Sequence, residues 1–307
     1  MRSKYLLGTR GSALARRQAE LIRESLAARY VNVGWEIMTI ASSGDRQSDT
    51  PLAAMAGEGI FVKELEQALL RGDIDLAVHS LKDLPLTGTP SALMTAAIPE
   101  RVEPHDALVS RDGSKLADLP RGARVASSSL RRQSQLLHVR PDLAIVPIRG
   151  NVDTRLKKLE SEELDGVVLA AAGLIRLGLQ DRISELLQQL VPEPGQGALA
   201  VQVRCEDRGL RELVESLDHV STRTAVEAER SLLAALGGGC RVPIGALGTM
   251  DGTTLTLQGI VASPDGTRVV RDAISGPATD AARLGRQLAE QLSALGAREI
   301  LADVGRS

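Results

Sequence analysis

Apolar runs and helix-spaced apolar positions alternate along this chain, and the alternation predicts two α/β units followed by a smaller mixed one. Tyr5-Leu6-Leu7-Gly8-Thr9 reads as a short strand. A helix follows with Ser12 as its N-cap and apolar positions at Leu14, Ala15, Leu21, Ile22 and Leu26. Glu36 to Ile40 predicts a second strand, Phe61 through Leu65, Leu69 and Leu70 a helix, and Ile74 to His79 a third strand. The pattern breaks at Ile98-Pro99-Glu100-Arg101-Val102-Glu103-Pro104, read as a domain crossing. Further strands are expected at 107–110, 124–127, 143–148 and 166–170. A second Pro/Gly break at Val191 to Ala198 predicts a hinge, and Ala198 to Val203 a strand returning to the first unit. From about Val220 the pattern changes. A helix over 224–236 ends in Gly237-Gly238-Gly239, strands are punctuated by the hairpin signals Asp251-Gly252 and Asp265-Gly266, and a last helix runs from about 278 to 295. The expected organisation is a lobe of residues 1–99 plus 198–217, a second lobe of 104–193, and a C-terminal α+β domain of 220–307.

Composition narrows this picture. Hydrophobic residues make up 43% of the 307 positions but aromatics only 1%, so the cores must be aliphatic. A net charge of −2 gives no global attraction to nucleic acid or anionic membrane, so anion binding has to come from a local cluster of bases. The two cysteines, Cys205 and Cys240, and the scattered His79, His105, His138 and His219 form neither a disulfide framework nor a metal site. No apolar run approaches the ~18 residues of a membrane span, and the polar N-terminal stretch lacks a signal-peptide core. A cytoplasmic protein is expected.

The chemistry-bearing residues gather where strands end. Arg10 and Ser12 follow the first strand, and Ser80, Lys82 and Asp83 follow the third. Ser127-Ser128-Ser129 leads into Arg131 and Arg132 at a strand-to-helix junction, where hydroxyls, helix N–H groups and paired guanidiniums suit a carboxylate or phosphate. Arg149, Arg155 and Arg176 recur at later strand ends. Seven bases at one structural position imply a polyanionic ligand held by the two lobes. Phe61 stands beside a Gly-rich stretch where stacking on a ring or core packing are both open, and Cys240 stands on three glycines before Val242-Pro243.

These motifs, taken in order, resemble the porphobilinogen deaminase family. The matches are Thr9-Arg10-Gly11-Ser12 with Gln18, His79-Ser80-Leu81-Lys82-Asp83-Leu84-Pro85, Ser128-Ser129-Leu130-Arg131-Arg132, and Arg149-Gly150-Asn151 with Arg155. They continue with Ala172-Gly173-Leu174 and Arg176, Gly195-Gln196-Gly197, and Gly238 to Gly245 around Cys240. The resemblance implies two lobes like those of type II periplasmic binding proteins plus a small domain with a three-stranded antiparallel sheet. It implies a transferase that condenses four porphobilinogen molecules, with loss of ammonia, on a dipyrromethane primer thioether-linked to Cys240, and releases hydroxymethylbilane by hydrolysis. Asp83 is then the catalytic carboxylate. Arg10, Ser12, Gln18, Phe61, Ser80, Lys82, Ser127, Ser128, Ser129, Arg131, Arg132, Arg149, Arg155, Ala170, Gly173, Arg176 and Gln196 are expected around cofactor and substrate, in a monomer. The sequence departs from many relatives at Gly11 and Ala13 and from some at Ala54 and Glu58, which questions a role for basic residues in closing the 42–58 segment. Two rivals stand beside it: a non-enzymatic binding protein, which fits the two lobes but lacks an export signal and has no use for a thiol-bearing third domain, and a cysteine acyl-transfer enzyme, which needs a histidine near Cys240, a place open to His79 or His138.

Overall fold

The computed structural model describes residues 2–40, 62–238 and 242–304. Cys240 and Phe61 therefore lie outside the described residues. The chain divides into two compact units, Met1–Val102 with Ala198–Arg223 and Glu103–Gly197 with Thr224–Ser307.

The first unit, lobe 1, is built on strands β1 (Lys4–Thr9), β2 (Gly34–Thr39), β3 (Leu76–Ser80), β4 (Leu93–Ala97) and β10 (Leu199–Arg204), in the order β2-β1-β3-β10-β4. β1 runs parallel to β2 and β3, and β10 lies antiparallel between β3 and β4. Helix α1 (Ala13–Arg29) lies on one face, packing Ala19, Ile22 and Leu26 with Leu7, Leu76 and Val201. Helix α2 (Lys63–Arg71) closes the other face with Leu65, Ala68 and Leu69 against Ile74, Ala77 and Leu93. Aliphatic packing dominates, as the composition requires, and Tyr5 and Trp35 stack with ring centroids 5.3 Å apart. Gly8 permits the tight approach of the two layers, because a Cβ there would stand 2.2 Å from Ile74 Cδ1.

The second unit holds two sheets. Lobe 2 consists of β5 (Asp106–Ser110), β6 (Arg124–Ala126), β7 (Ala144–Val146), β8 (Gly166–Ala170) and β9 (Glu185–Leu186), in the order β7-β6-β8-β5-β9. β6 is parallel to β7 and β8, while β5 is antiparallel to β8. The two lobes thus share a plan: a parallel trio, then an antiparallel strand that the chain supplies as it crosses between units. Helix α3 (Leu130–Val139) packs Leu136 on one face of this sheet. Helices α4 (Val152–Ser161) and α5 (Ala171–Arg176) cover the other.

The remaining sheet is the antiparallel meander β11 (Ile244–Asp251), β12 (Thr254–Ala262) and β13 (Val269–Pro277). Gly252 and Gly266 take φ of +56° and +72° in its two turns, the left-handed backbone for which Asp-Gly pairs are suited. Helices α7 (Val220–Ala235) and α8 (Ala281–Ala294) bury Leu232 and Leu288 against it. Elements beyond the sequence expectation include β4, β9, helix α6 (Arg208–Glu215), and α9 (Ala297–Val304), which follows the expected last helix after a break at Gly296.

Candidate active site

In lobe 1 the expected residues converge at the carboxyl ends of β1 and β3, where open α/β sheets hold ligands. Thr9 ends β1, and its hydroxyl donates to Ala15 O at 2.9 Å, fixing the turn into α1. Ser12 caps that helix, its side chain accepting from Ala15 N at 3.2 Å. Gln18, buried on α1, reaches across to Ser80 with its Nε2 3.0 Å from Ser80 Oγ. β3 ends at Ser80, and a single 3-10 turn, Leu81–Asp83, presents Lys82 and Asp83 half-buried. Leu81 N bonds Ala198 O at 3.0 Å and Leu84 N bonds Leu81 O at 3.1 Å, so the turn is tied to β10. Pro85 then prevents the turn from extending as a helix. Beneath it His79 is buried, and desolvation, opposed by Gln202 and reinforced by the Arg10 charge, pushes its pKa down to about 4. The Arg10 charge therefore acts on this strand end. Gln202 and Glu66 are not among the expected site residues, and neither is His79, which opens the motif that ends at Pro85. Gln202 Nε2 lies 3.2 Å from Glu66 Oε1, and burial pushes the Glu66 carboxyl upward.

Lobe 2 gathers its set at the carboxyl ends of β6, β7 and β8. The three serines after β6 have backbone partners. Ser127 Oγ accepts from Ser129 N at 3.3 Å, Ser128 Oγ donates to Ile148 O at 2.7 Å and accepts from Ile148 N at 2.9 Å, and Ser129 caps α3. They shape the junction and tie it to the segment after β7. Arg131 and Arg132 face inward, both on Asp106, a residue the sequence reading passed over. Arg131 Nη1 lies 2.7 Å from Asp106 Oδ2, and Arg132 Nη2 lies 2.8 Å from Asp106 Oδ1, with Asp106 fully buried. Both guanidiniums thus meet a buried carboxylate, because α3 begins beside β5 and its first turn reaches the residue that opens that strand. Gln196 joins the same group through Nε2, 2.9 Å from Asp106 Oδ1.

Arg155 and Arg176 are placed otherwise. Arg155 Nε donates to Gly150 O at 2.8 Å, Arg176 Nη2 donates to Gly197 O at 2.8 Å, and the buried Arg176 Nε has no hydrogen-bond partner. Among the described residues neither has a carboxylate partner within ion-pair distance. Burial, with the neighbouring charges of Arg132 and Arg149, pushes Arg155 down to about 10, and burial alone does the same to Arg176. Gly150, with φ +112°, turns the chain between Arg149 and α4, while Ala170 and Gly173 bring the backbone of α5 to the end of β8. A half-buried Arg155 and a buried Arg176, neither with a carboxylate partner among the described residues, fit an acidic organic group, and Arg176 Nε, without a hydrogen-bond partner among the described residues, supplies a donor for it.

Fold and residues together define a class: α/β proteins with two sheet-helix lobes of like plan and basic residues at their strand ends. The family model described as "Porphobilinogen deaminase, dipyromethane cofactor binding domain" matches residues 6–212, and "Porphobilinogen deaminase, C-terminal domain" matches 223–294. The porphobilinogen deaminase of Geobacter metallireducens is 52% identical over 97% of this chain and 94% of its own. That of Geobacter sulfurreducens is 50% identical over 98% and 95%. Among solved structures, the methionine-binding protein MetQ aligns with TM-score 0.46 at 16% identity, covering 70% of this chain and 89% of its own. The chain belongs to the porphobilinogen deaminase family. It is an enzyme, a transferase, and carries that family's cofactor-binding domain.

Proposed function

We propose that this chain condenses four porphobilinogen molecules head to tail with release of ammonia, on a dipyrromethane carried by Cys240, and frees hydroxymethylbilane by hydrolysis. The observation that supports it most is the pair Arg155 and Arg176, desolvated bases without an acidic partner among the described residues, at strand ends of a lobe matched by the cofactor-binding family model. Porphobilinogen bears an acetate and a propionate, so substrate and growing chain are polyanions. When bound, the dipyrromethane supplies the pyrrole carbon on which the chain grows. Arg149, Arg155 and Arg176 neutralise its carboxylates, and Arg10 and Lys82 do so from lobe 1. Ser12, Gln18 and Ser80 hold the turns that carry these bases. Ser127, Ser128, Ser129, Gln196, Ala170 and Gly173 do the same in lobe 2, and Phe61 packs on a ring. Asp83 stabilises positive charge as it develops at a pyrrole nitrogen and moves the proton displaced by carbon–carbon bond formation. The reaction needs both functions at one place, and a half-buried carboxylate held by a short turn can supply both.

The working form is a cytoplasmic monomer. In support, the exposed large apolar residues Val31, Met38, Leu70, Val139, Ile175, Val220 and Leu295 belong to different elements or turns, and no helix among the described residues is long and apolar enough to cross a membrane. Intact-mass measurement tests the attachment. The purified protein is expected to exceed its sequence mass by one dipyrromethane and to colour with acidic Ehrlich reagent, and Cys240→Ser to do neither. Wild-type protein at its bare sequence mass, active with porphobilinogen, overturns the covalent reading.

A further inference from the structure

Helix α3 serves two regions at once. Its first turn carries Arg131 and Arg132, expected around cofactor and substrate, and its second half meets the antiparallel sheet that follows Cys240. Two contacts make that meeting. The first runs through Gln135, a buried side chain with both ends of its amide bonded to the backbone of one residue. Val191 N donates to Gln135 Oε1 at 2.7 Å, and Gln135 Nε2 donates to Val191 O at 3.0 Å. The next residue extends the link: Pro192 O accepts from Ala246 N, on β11, at 2.9 Å. β11 lies so close to this segment that a Cβ on Gly245 would stand 2.6 Å from Val191 O. The second contact is the β12–β13 turn. Gly266 sits directly on the helix backbone, where a Cβ would stand 2.5 Å from His138 N and 2.7 Å from Ser134 O. Its carbonyl oxygen lies 3.1 Å from His138 Nδ1.

Filling space does not require an amide here, since an apolar side chain of similar length would occupy the same volume. What the amide adds is register. Two opposed hydrogen bonds admit one position of the Val191 backbone against α3, and the Pro192–Ala246 bond transfers that position to β11. β11 begins at Ile244, close behind Cys240, so its placement fixes one end of the loop that bears the thiol. One helix thereby sets both the start of the basic set and the end of the tether. We infer that Gln135 is a positioning residue for the condensation: it registers the strand leaving the Cys240 loop against the helix that opens with Arg131 and Arg132, so that the tethered pyrrole meets substrate held by the bases. Gln135 acts through Val191 and β11. The inference rests on Cys240 as the point of attachment.

The test is Gln135→Met, which keeps the side chain's length and removes both hydrogen bonds, with porphobilinogen as the probe. Leu288→Ala is the control. Leu288 packs α8 on the same sheet and is no part of the link, so its loss loosens the third domain without disturbing Val191. Cofactor loading is read by intact mass, and kcat and KM are measured per loaded enzyme well below the melting temperature of either variant. Gln135→Met is expected to lower kcat about tenfold with KM within about twofold, because binding survives and alignment does not. It is also expected to load cofactor less fully than Leu288→Ala, which keeps the wild-type kcat. A wild-type kcat per loaded enzyme in Gln135→Met overturns the inference, whatever its loading or melting temperature. Equal kcat losses in the two variants overturn it as well, since weakened folding then accounts for both. Where Gln135→Met fails to fold, Gly266→Ala carries the test, because its methyl presses the turn away from α3 and leaves Gln135 in place. A fall in kcat of about tenfold there supports the inference, and an unchanged kcat overturns it. Wild-type protein at its bare sequence mass that turns over porphobilinogen defeats the covalent reading itself. Loaded wild type beside a Gln135→Met enzyme of unchanged kcat defeats the positioning role alone.

Discussion

Lobe 1 and lobe 2 have the same strand plan, yet they treat ionisable groups at their strand ends in opposite ways. Lobe 1 leaves Lys82 and Asp83 half-buried on a 3-10 turn, and the ionisable group it seals beneath them, His79, is held neutral near pH 7. Lobe 2 seals charges inside: Arg131, Arg132 and Asp106 are all buried, and the Asp106 carboxyl is held far below its usual range. Burial works against that ionised state, and the two guanidiniums outweigh it. The difference teaches how labour can be divided on one plan. A carboxylate that must exchange protons keeps contact with solvent and a short, rigid support. A field that must not change during the reaction is built from charges locked to one another.

The strongest way to break this comparison is at Asp83. Asp83→Asn is expected to fold and to load cofactor, with kcat lowered by roughly 100-fold or more. Single-turnover measurement with porphobilinogen checks this, and near-normal turnover would remove the functional contrast between the lobes. A second break concerns how lobe 2 shares its unit with the three-stranded sheet. Glu229 on α7 is fully buried, its Oε2 accepting from Gly195 N at 2.7 Å and its Oε1 from Gly248 N at 2.8 Å. Glu229→Ala leaves both N–H groups without this partner and is expected to lower stability by about 3 kcal/mol in urea unfolding. Loss of under about 1 kcal/mol would show that the Glu229 bridge is not what holds the sheet to lobe 2. A smaller effect belongs to Arg176. Arg176→Met is expected to lower kcat/KM about tenfold, through KM, because the guanidinium is one contact of several. A fall carried by kcat instead would place Arg176 in the chemistry rather than in binding.

The two lobes were legible in the sequence to different depths, for physical reasons. Strands such as Leu76–Ser80 and Gly166–Ala170 are apolar runs bounded by turn residues, and the bases that follow them mark the ligand-facing end. β4, Leu93–Ala97, is rich in Ala and Met and has weak β-propensity. It is a strand because β10, more than a hundred residues later, pairs with it. Arg131 and Arg132 were visible as a charged pair at a helix start, but their partner was not. A single Asp opening an apolar run reads as solvated, and only the antiparallel placement of β5 beside β8 brings Asp106 under α3. The polar trio His79, Gln202 and Glu66 was hidden for the same reason, since antiparallel pairing of β3 with β10 is what sets Gln202 near His79. Local pattern identified where chemistry sits. Long-range pairing decided which charges face one another.

The finest test of the comparison is the pH dependence of stability, because a neutral buried base and a charged buried triad slope in different windows. The folded His79 pKa, about 4, lies below the ordinary 6.5, so as pH falls the unfolded chain binds this proton first. Its contribution is complete above pH 6.5 and is lost as pH falls toward 4, about 1 kcal/mol of it between pH 6.5 and 5.5. Glu66, raised by burial, slopes the other way, its contribution present at low pH and lost as pH rises. Asp106 contributes above its unfolded value near 3.8 and loses that contribution only below it, outside this window. Urea unfolding of wild type and His79→Asn at pH 7, 6.5 and 5.5 isolates the histidine. The wild type is expected to lose the larger share of its stability on acidification, and the variant to show a flatter profile. Parallel profiles would mean that His79 is already protonated inside lobe 1, and the contrast between a neutral group under one strand end and a charged set under the other would then fall.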